Sequence, residues 1–90
     1  MTVPGPIEVQ IYTRQNCPLC VKAASFLRSQ QRCWPLVVAS IDIESDPRLE
    51  ETYGNCVPVI MVNGKLRFRG QINPVLWKRL MMKELKRAAG

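Results

Sequence analysis

The sequence predicts an α/β domain with the element order β-α-β-α-β-β-α. An alternating apolar run at 7–12 precedes a helical pattern that extends to about residue 31, and a second apolar block covers 36–43. Asn63-Gly64 separates two short strand-like runs and is a strong signal for a β-hairpin. Helical connections indicate parallel strands and a hairpin indicates an antiparallel pair. We therefore expect a four-stranded mixed sheet flanked by three helices.

The first strand and the first helix follow from two simple patterns. Ile7, Val9 and Ile11 alternate with Glu8, Gln10 and Tyr12, which is the period-two pattern of a strand. Pro18 then falls in the first helical turn, where its missing N–H costs nothing.

The apolar block at 36–43 predicts the second strand. Its nearly continuous apolar character is typical of a parallel strand that is buried on both faces, and we expect that burial here. The next helix is expected to have Asp46 as its N-cap and Pro47 at its first position. Gly54 should end it, because glycine commonly follows the last helical residue.

The last three elements are a strand at 57–62, a strand at 65–69 and a helix that starts at Asn73-Pro74. The residues expected to form the buried stripe of this helix are Val75, Leu76, Leu80, Met81 and Leu85. Met82 is likewise interpreted as core filling, and Trp34 and Trp77 are interpreted as packing residues.

Length and composition indicate one globular domain. The chain has 90 residues, 47% apolar and 22% charged, and no apolar run approaches the roughly 18 residues that a membrane span needs. Residues 1–6 show no secretory signal, so we expect a flexible lead-in there and the domain at 7–90. Four cysteines without such a signal favour a reducing compartment. We expect the cytoplasm, or the mitochondrion if a presequence was removed.

The net charge is +6 and the sequence contains no histidine, which excludes Cys-His and Ser-His catalytic pairs and mixed Cys/His zinc sites. The positive charge concentrates near the C-terminus, at Lys78, Arg79, Lys83, Lys86 and Arg87. Such a cluster fits nucleic acid, an anionic membrane surface or an acidic small molecule. A solvated helix face with cations near its C-terminal dipole end is the commoner explanation and is preferred here; nucleic acid is not expected as a partner.

The stretch Cys17-Pro18-Leu19-Cys20 lies at the junction between the first strand and the first helix. Two cysteines at this spacing can close a small disulfide ring. The first sulfur would lie at the free N–H groups and the positive dipole end of the new helix, which favour thiolate over thiol. The sequence therefore predicts a nucleophilic cysteine at this position.

Three features together resemble the thioredoxin fold: this motif after the first strand, Val57-Pro58 at the start of the third, and Gly70 after the fourth. Among proteins of that fold the chain is most similar to glutaredoxins, in particular to the small glutaredoxin-like group with a CPLC centre. The resemblance covers residues 7 to 88 and implies a thioredoxin-like three-layer fold, with thiol–disulfide exchange as the activity.

The resemblance also implies a role for individual residues. Cys17 would be the exposed nucleophile and Cys20 the buried resolving thiol. Pro58 would be a cis-proline beside the disulfide, and Val57 would offer its backbone to an extended peptide or to glutathione. Arg14 would stabilise the thiolate and meet a glutathione carboxylate. The predicted binding residues are Arg14, Pro18, Leu19, Val57, Pro58 and Gly70.

The sequence departs from the glutaredoxin pattern at several positions that bind glutathione. Leu19 replaces the usual tyrosine, and Cys56 replaces the threonine two residues before the cis-proline. The segment 70–73 has one glycine and no carboxylate, so it offers Asn73 where an acidic residue usually receives the glutathione amino group. The redox pair is intact, and glutathione is retained as an optional co-substrate with no bound cofactor.

The favoured hypothesis is a monomeric thiol–disulfide oxidoreductase acting on a disulfide-containing protein or a glutathione mixed disulfide. One alternative is a tetrahedral metal site that joins Cys33 and Cys56 to the motif cysteines, although Cys33 is expected at the far end of the first helix. Another is a binding module without turnover, with the basic last helix as its working surface. Cys56 is interpreted as a small apolar filler in preference to a third redox thiol.

Overall fold

The computed structural model describes the backbone of residues 6–89 and the side chains of residues 6–87. Apart from Pro6, the lead-in predicted at 1–6 lies outside the described residues. The elements are β1 (Ile7–Thr13), α1 (Pro18–Gln30), β2 (Leu36–Asp42), a 3₁₀ turn (Ile43–Ser45), α2 (Pro47–Tyr53), β3 (Val59–Val62), β4 (Lys65–Arg69) and α3 (Pro74–Ala89). The predicted element order is confirmed.

The four strands form one mixed sheet in the order β2-β1-β3-β4. β1 runs parallel to β2 and antiparallel to β3, and β3 runs antiparallel to β4. The α1 crossover and the Asn63-Gly64 hairpin account for these directions. The predicted mixed sheet with three helices is therefore confirmed, and the architecture is a thioredoxin-like α/β fold.

The main core lies between one face of the sheet and the helices α1 and α3. The residues that form it are Ile7, Val9, Ile11, Ala23, Leu27, Leu36, Ile60, Val62, Trp77 and Met81. Because β1 and β4 run in the same direction and end at the same end of the sheet, α1 and α3 both begin there. The starts of the two helices thus belong to one end of the molecule.

Within residues 6–89, the opposite face of the sheet is covered by the short helix α2, and only near that same end. Tyr12 of β1 stacks on Tyr53 of α2 with ring centroids 4.9 Å apart. The prediction that β2 is buried on both faces is wrong, because Val37 is 55% exposed. β2 is an edge strand, and a helix of seven residues is too short to cover its far half.

Both ends of α2 lie where the sequence predicts them. The Asp46 side chain accepts the N–H of Arg48 at 2.9 Å, and Pro47 occupies the first helical position. Gly54 follows the last residue but has a right-handed φ of −53°. Glycine is needed there for space instead, since a Cβ would lie 2.5 Å from the Glu50 carbonyl oxygen.

The buried face of α3 differs in part from the predicted stripe. Val75, Leu76 and Met82 are exposed by 62%, 51% and 57%, so their assignment to the core is wrong. Among the described side chains of the helix, those that are buried are Trp77, Met81 and Glu84. Their spacing of four and three residues defines a face on which Val75, Leu76 and Met82 cannot lie.

A buried carboxylate joins α3 to the β3–β4 hairpin. Glu84 is 4% exposed and accepts the side-chain N–H of Asn63 at 3.2 Å. Its other oxygen lies 3.8 Å from guanidinium nitrogens of Arg67 and Arg87. Asn63 also accepts the backbone N–H of Glu8 through its side-chain oxygen. The hairpin turn, the helix and the start of β1 are therefore held at one point.

Within residues 6–89, no helix is long and apolar enough to cross a membrane.

Candidate active site

Cys17 and Cys20 are joined by a disulfide at the start of α1, with their Cα atoms 5.2 Å apart. Cys17 is the N-cap of the helix, with extended backbone angles, and its Sγ accepts the backbone N–H of Cys20 at 3.2 Å. Cys17 is half-buried, whereas Cys20 is only 3% exposed. The more accessible sulfur is therefore the one at the positive end of the helix dipole.

A tight turn places Cys17 at this position. β1 ends at Thr13, and Asn16 has a φ of 58°, in the left-handed region that asparagine tolerates better than most residues. Pro18 then sets the backbone for the first helical turn. The turn allows α1 to begin close to the end of β1.

The cis-proline loop lies at the same end of the sheet. The Val57–Pro58 peptide bond is cis, as the resemblance implies, and Pro58 is buried. Val59 pairs with Tyr12, so Pro58 comes level with the end of β1, from which the chain leads to Cys17. The Pro58 carbonyl accepts the N–H of Gly70 at 2.8 Å. This bond ties the cis-proline loop to the segment after β4.

A groove of about 240 Å³ opens beside the disulfide, between α1 and the segment that follows β4. Its lining residues are Leu19, Lys22, Ala23 and Phe26 of α1, with Gly70, Gln71 and Ile72 opposite them. The structure thus brings together Leu19 and Gly70, which the sequence placed among the binding residues. Pro18 is exposed at the first position of α1, adjacent to Leu19, and Val57 is half-buried before Pro58.

Sequence reasoning missed Lys22, Phe26 and Ile72 as groove residues. Leu19, Lys22 and Phe26 are spaced by three and four residues, so helical periodicity alone puts them on one face of α1. The spacing can be seen in the sequence, but only the fold shows that this face of α1 meets the segment after β4.

Arg14 lies on the other side of the disulfide, against α2. Its Nη2 atom is 3.2 Å from a carboxylate oxygen of Glu50, and it would meet a Cβ at Gly54 at 3.4 Å. The Arg14 Nε atom is buried without a hydrogen-bond partner. Arg14 is therefore not part of the groove, and its contact with a thiolate or with glutathione remains a prediction.

Besides Glu50, a second carboxylate contacts the loop before Cys17. The backbone N–H of Gln15 donates to Glu44 of the 3₁₀ turn at 3.2 Å. Glu44 and Glu50 thus contact this loop from the side of α2, whereas Lys22 contributes a cation on the side of the groove.

The remaining cysteines are not joined to the pair. Cys33 is exposed beyond the last residue of α1, and thirteen helical residues place it about 20 Å from Cys17 along the helix axis. Cys56 is half-buried in the turn before the cis-proline. The described residues contain no group of three or more cysteine, aspartate or glutamate side chains arranged to hold a metal ion.

Comparisons with known proteins agree with this geometry. The family described as "Glutaredoxin-like domain (DUF836)" matches residues 8–88. No curated protein matches the chain. The solution NMR structure of protein Ne2328 from Nitrosomonas europaea is 20% identical with a TM-score of 0.78, over 90% of this chain and 98% of that one.

Two solved thioredoxins are also similar in fold. A mutant thioredoxin from Halobacterium salinarum is 18% identical with a TM-score of 0.67, over 88% of this chain and 74% of its own. The Fasciola hepatica thioredoxin is 18% identical with a TM-score of 0.59, over 89% and 82%. The family match spans nearly the whole described chain, so this protein belongs to the glutaredoxin-like domain family and has a thioredoxin-like fold.

Proposed function

We propose that the protein is a thiol–disulfide oxidoreductase in which Cys17 attacks the substrate and Cys20 resolves the intermediate. The observation that carries this proposal is the asymmetry of the Cys17–Cys20 pair. The Cys17 sulfur caps α1 and accepts a backbone N–H, and its residue is half-buried, whereas Cys20 is 3% exposed. A nucleophile needs access to the substrate and stabilisation of its thiolate, and Cys17 has both.

The first step forms a mixed disulfide. In the reduced protein, the Cys17 thiolate attacks one sulfur of a substrate disulfide and forms a new S–S bond with it. The other substrate sulfur leaves as a thiolate and takes a proton from water. The N–H of Cys20, which donates to the Cys17 sulfur at 3.2 Å in the oxidised protein, stabilises that sulfur while it is charged.

The second step releases the product. Cys20 gives its proton to solvent and attacks the Cys17 sulfur, so the Cys17–Cys20 bond forms and the second substrate thiolate leaves. The substrate has gained two electrons and the protein has lost two, which leaves the disulfide seen in the structure. A dithiol, or two molecules of a monothiol such as glutathione, returns the protein to its reduced form.

The surroundings of the pair favour a protein disulfide over a glutathione mixed disulfide as the substrate. Arg14 is paired with Glu50, and the Asn73 side-chain oxygen accepts the N–H groups of Val75 and Leu76 at 2.9 and 3.1 Å. The two side chains expected to meet the charged groups of glutathione are therefore already bonded. The groove beside Leu19 is mostly apolar and accepts a segment of polypeptide next to the reacting disulfide.

A cellular thiol of the kinds named above then returns the protein to its reduced form, and a thiol-rich compartment such as the cytoplasm suits that step. Val57 is half-buried next to the buried Pro58 at the end of the sheet, and in this proposal it serves as the backbone contact for the substrate segment.

The test is a comparison of Cys17→Ser and Cys20→Ser on a protein disulfide and on a glutathione mixed disulfide. We expect Cys17→Ser to abolish both activities. Cys20→Ser should abolish turnover of the protein disulfide and leave a trapped mixed disulfide on Cys17, detectable as an adduct by mass spectrometry. Cys33→Ser is the matched control, since this exposed thiol lies beyond the other end of α1, and it should keep full activity.

Two results would contradict the proposal. One is a redox titration of the wild-type protein that shows no two-electron couple. The other is activity on the protein disulfide that survives Cys17→Ser.

A further inference from the structure

We propose that the solvent-facing side of α3 is a docking surface for an anionic lipid membrane. This outer face consists of Val75, Lys78, Arg79, Met82, Lys83 and Lys86. All six side chains are exposed, and their helical positions lie opposite the buried residues Trp77, Met81 and Glu84. The proposal concerns a surface that the redox chemistry does not use and does not depend on that chemistry.

The charge of the outer face is not compensated. After Glu51 the chain contains eight lysine and arginine residues and a single acidic one, Glu84. Glu84 is buried beneath the helix and pairs with Arg67 and Arg87, so it neutralises none of the outer-face cations. Among the described residues, Lys78, Arg79, Lys83 and Lys86 have no carboxylate within salt-bridge distance.

Large apolar side chains lie between these cations. Val75 is 62% exposed and Met82 is 57% exposed, and Leu76 borders the face at 51%. Cations that meet anionic headgroups, with a few apolar side chains that enter the interface, are the chemistry of peripheral membrane binding.

The same face is poorly suited to single-stranded nucleic acid. Binding of single strands relies on exposed aromatic side chains on which bases stack. The aromatic residue of α3, Trp77, is 1% exposed and belongs to the core. The combination of cations with exposed valine, leucine and methionine therefore favours lipid as the partner.

The chain connects α3 directly to the groove beside the redox centre. The segment 70–72 lines the groove beside the disulfide and leads into α3 through Asn73. A molecule seated on a membrane through the outer face would hold that groove close to the lipid surface.

The experiment measures binding of the full chain to vesicles of phosphatidylcholine alone and of phosphatidylcholine with phosphatidylserine, at low and high salt. We expect binding only to the vesicles with phosphatidylserine, and weaker binding in high salt. The double variant R79Q/K83Q should bind about 25-fold less tightly, at about fivefold for each cation removed. Met82→Ser should also weaken binding, and this loss should persist in high salt.

The matched control is the double variant R32Q/R48Q, which removes the same net charge from exposed positions outside α3. It should bind like the wild type. The inference is overturned if the control loses as much affinity as R79Q/K83Q, or if the wild type fails to bind the phosphatidylserine vesicles. It is equally overturned if a DNA or RNA duplex binds more tightly than those vesicles at the same salt concentration.

Discussion

At the scale of single residues, Gln30 has an unusual role for a polar side chain next to the core. Its Oε1 atom accepts the indole N–H of Trp34 at 3.2 Å and that of Trp77 at 3.0 Å. Trp77 is 1% exposed, so its N–H has no access to water if this acceptor is removed. One oxygen therefore accepts the indole N–H groups of both tryptophans, which the sequence predicted to be packing residues.

We expect Gln30→Leu to lower the free energy of unfolding by about 1–3 kcal/mol, because a buried donor loses its partner. Gln30→Glu keeps an oxygen acceptor at the same position and should cost less. Urea unfolding followed by circular dichroism measures both. Equal losses for the two variants would mean that the hydrogen bonds contribute nothing beyond packing.

The residues of the candidate site divide into those that local sequence could predict and those that it could not. Cys17 and Cys20 were predictable because their spacing and the helix start are local features. The role of Pro58 came from the family resemblance, since the preference of cis bonds for proline does not single out one of the seven prolines. The pairing of Arg14 with Glu50 was not predictable, since it joins residues that lie 36 positions apart in the chain. No local pattern marks Glu50 as the partner of Arg14.

At the scale of elements, Glu84 is the main link between α3 and the β3–β4 hairpin. Removal of its carboxylate would leave the Asn63 amide without an acceptor and Arg67 without its ion pair. Arg67 and Arg87 are partly exposed, so most of the effect should come from the hydrogen bond and from burial.

We expect Glu84→Leu to destabilise the protein by about 0.5–1.5 kcal/mol, the net contribution of a typical hydrogen bond, because Asn63 is exposed and water can replace the lost acceptor. Glu84→Gln should cost less, because glutamine keeps an acceptor for Asn63. The loss should appear first in the hairpin, as faster hydrogen exchange of its backbone amides. If Glu84→Leu exchanged at the wild-type rate across residues 59–69, the carboxylate would not be what holds the hairpin to α3.

The order and type of the elements were predictable from the sequence. Which faces of β2 and α3 are buried was not. Alternation, Pro18 and Asn63-Gly64 are local signals, and the structure follows them. The exposure of Val37 depends on the strand order and on the length of α2, which no local pattern contains. In α3 the apolar residues allow more than one stripe, and contact with the sheet selects the one through Trp77 and Met81.

At the scale of the whole molecule, the two edges of the sheet are protected to different degrees. Edge strand β4 carries Lys65, Arg67 and Arg69, and charges of this kind oppose pairing between sheets of different molecules. Edge strand β2 has no charged residue before Asp42, and its Val37 is exposed. We therefore expect β2 to be the edge at which unwanted association begins.

Val37→Lys should slow aggregation at high protein concentration while changing the free energy of unfolding by no more than about 0.5 kcal/mol, because the side chain is at the surface. Light scattering during prolonged incubation measures the rate of aggregation, and urea unfolding measures the free energy of unfolding. Val75→Lys adds the same charge at an equally exposed valine away from any strand. If it slowed aggregation as much as Val37→Lys did, net charge and not the β2 edge would be responsible.

The shared oxygen of Gln30 also determines what the protein shows optically. The chain has two tryptophans, and both bond to this one side chain at the last residue of α1. Their emission therefore originates in one neighbourhood, where α1, α3 and the turn before β2 meet. Cys17 lies about 20 Å away along the helix axis, at the other end of α1. Intrinsic fluorescence should consequently report the integrity of the core and respond little to reduction of the disulfide, which makes it a stability probe that works equally well in both oxidation states.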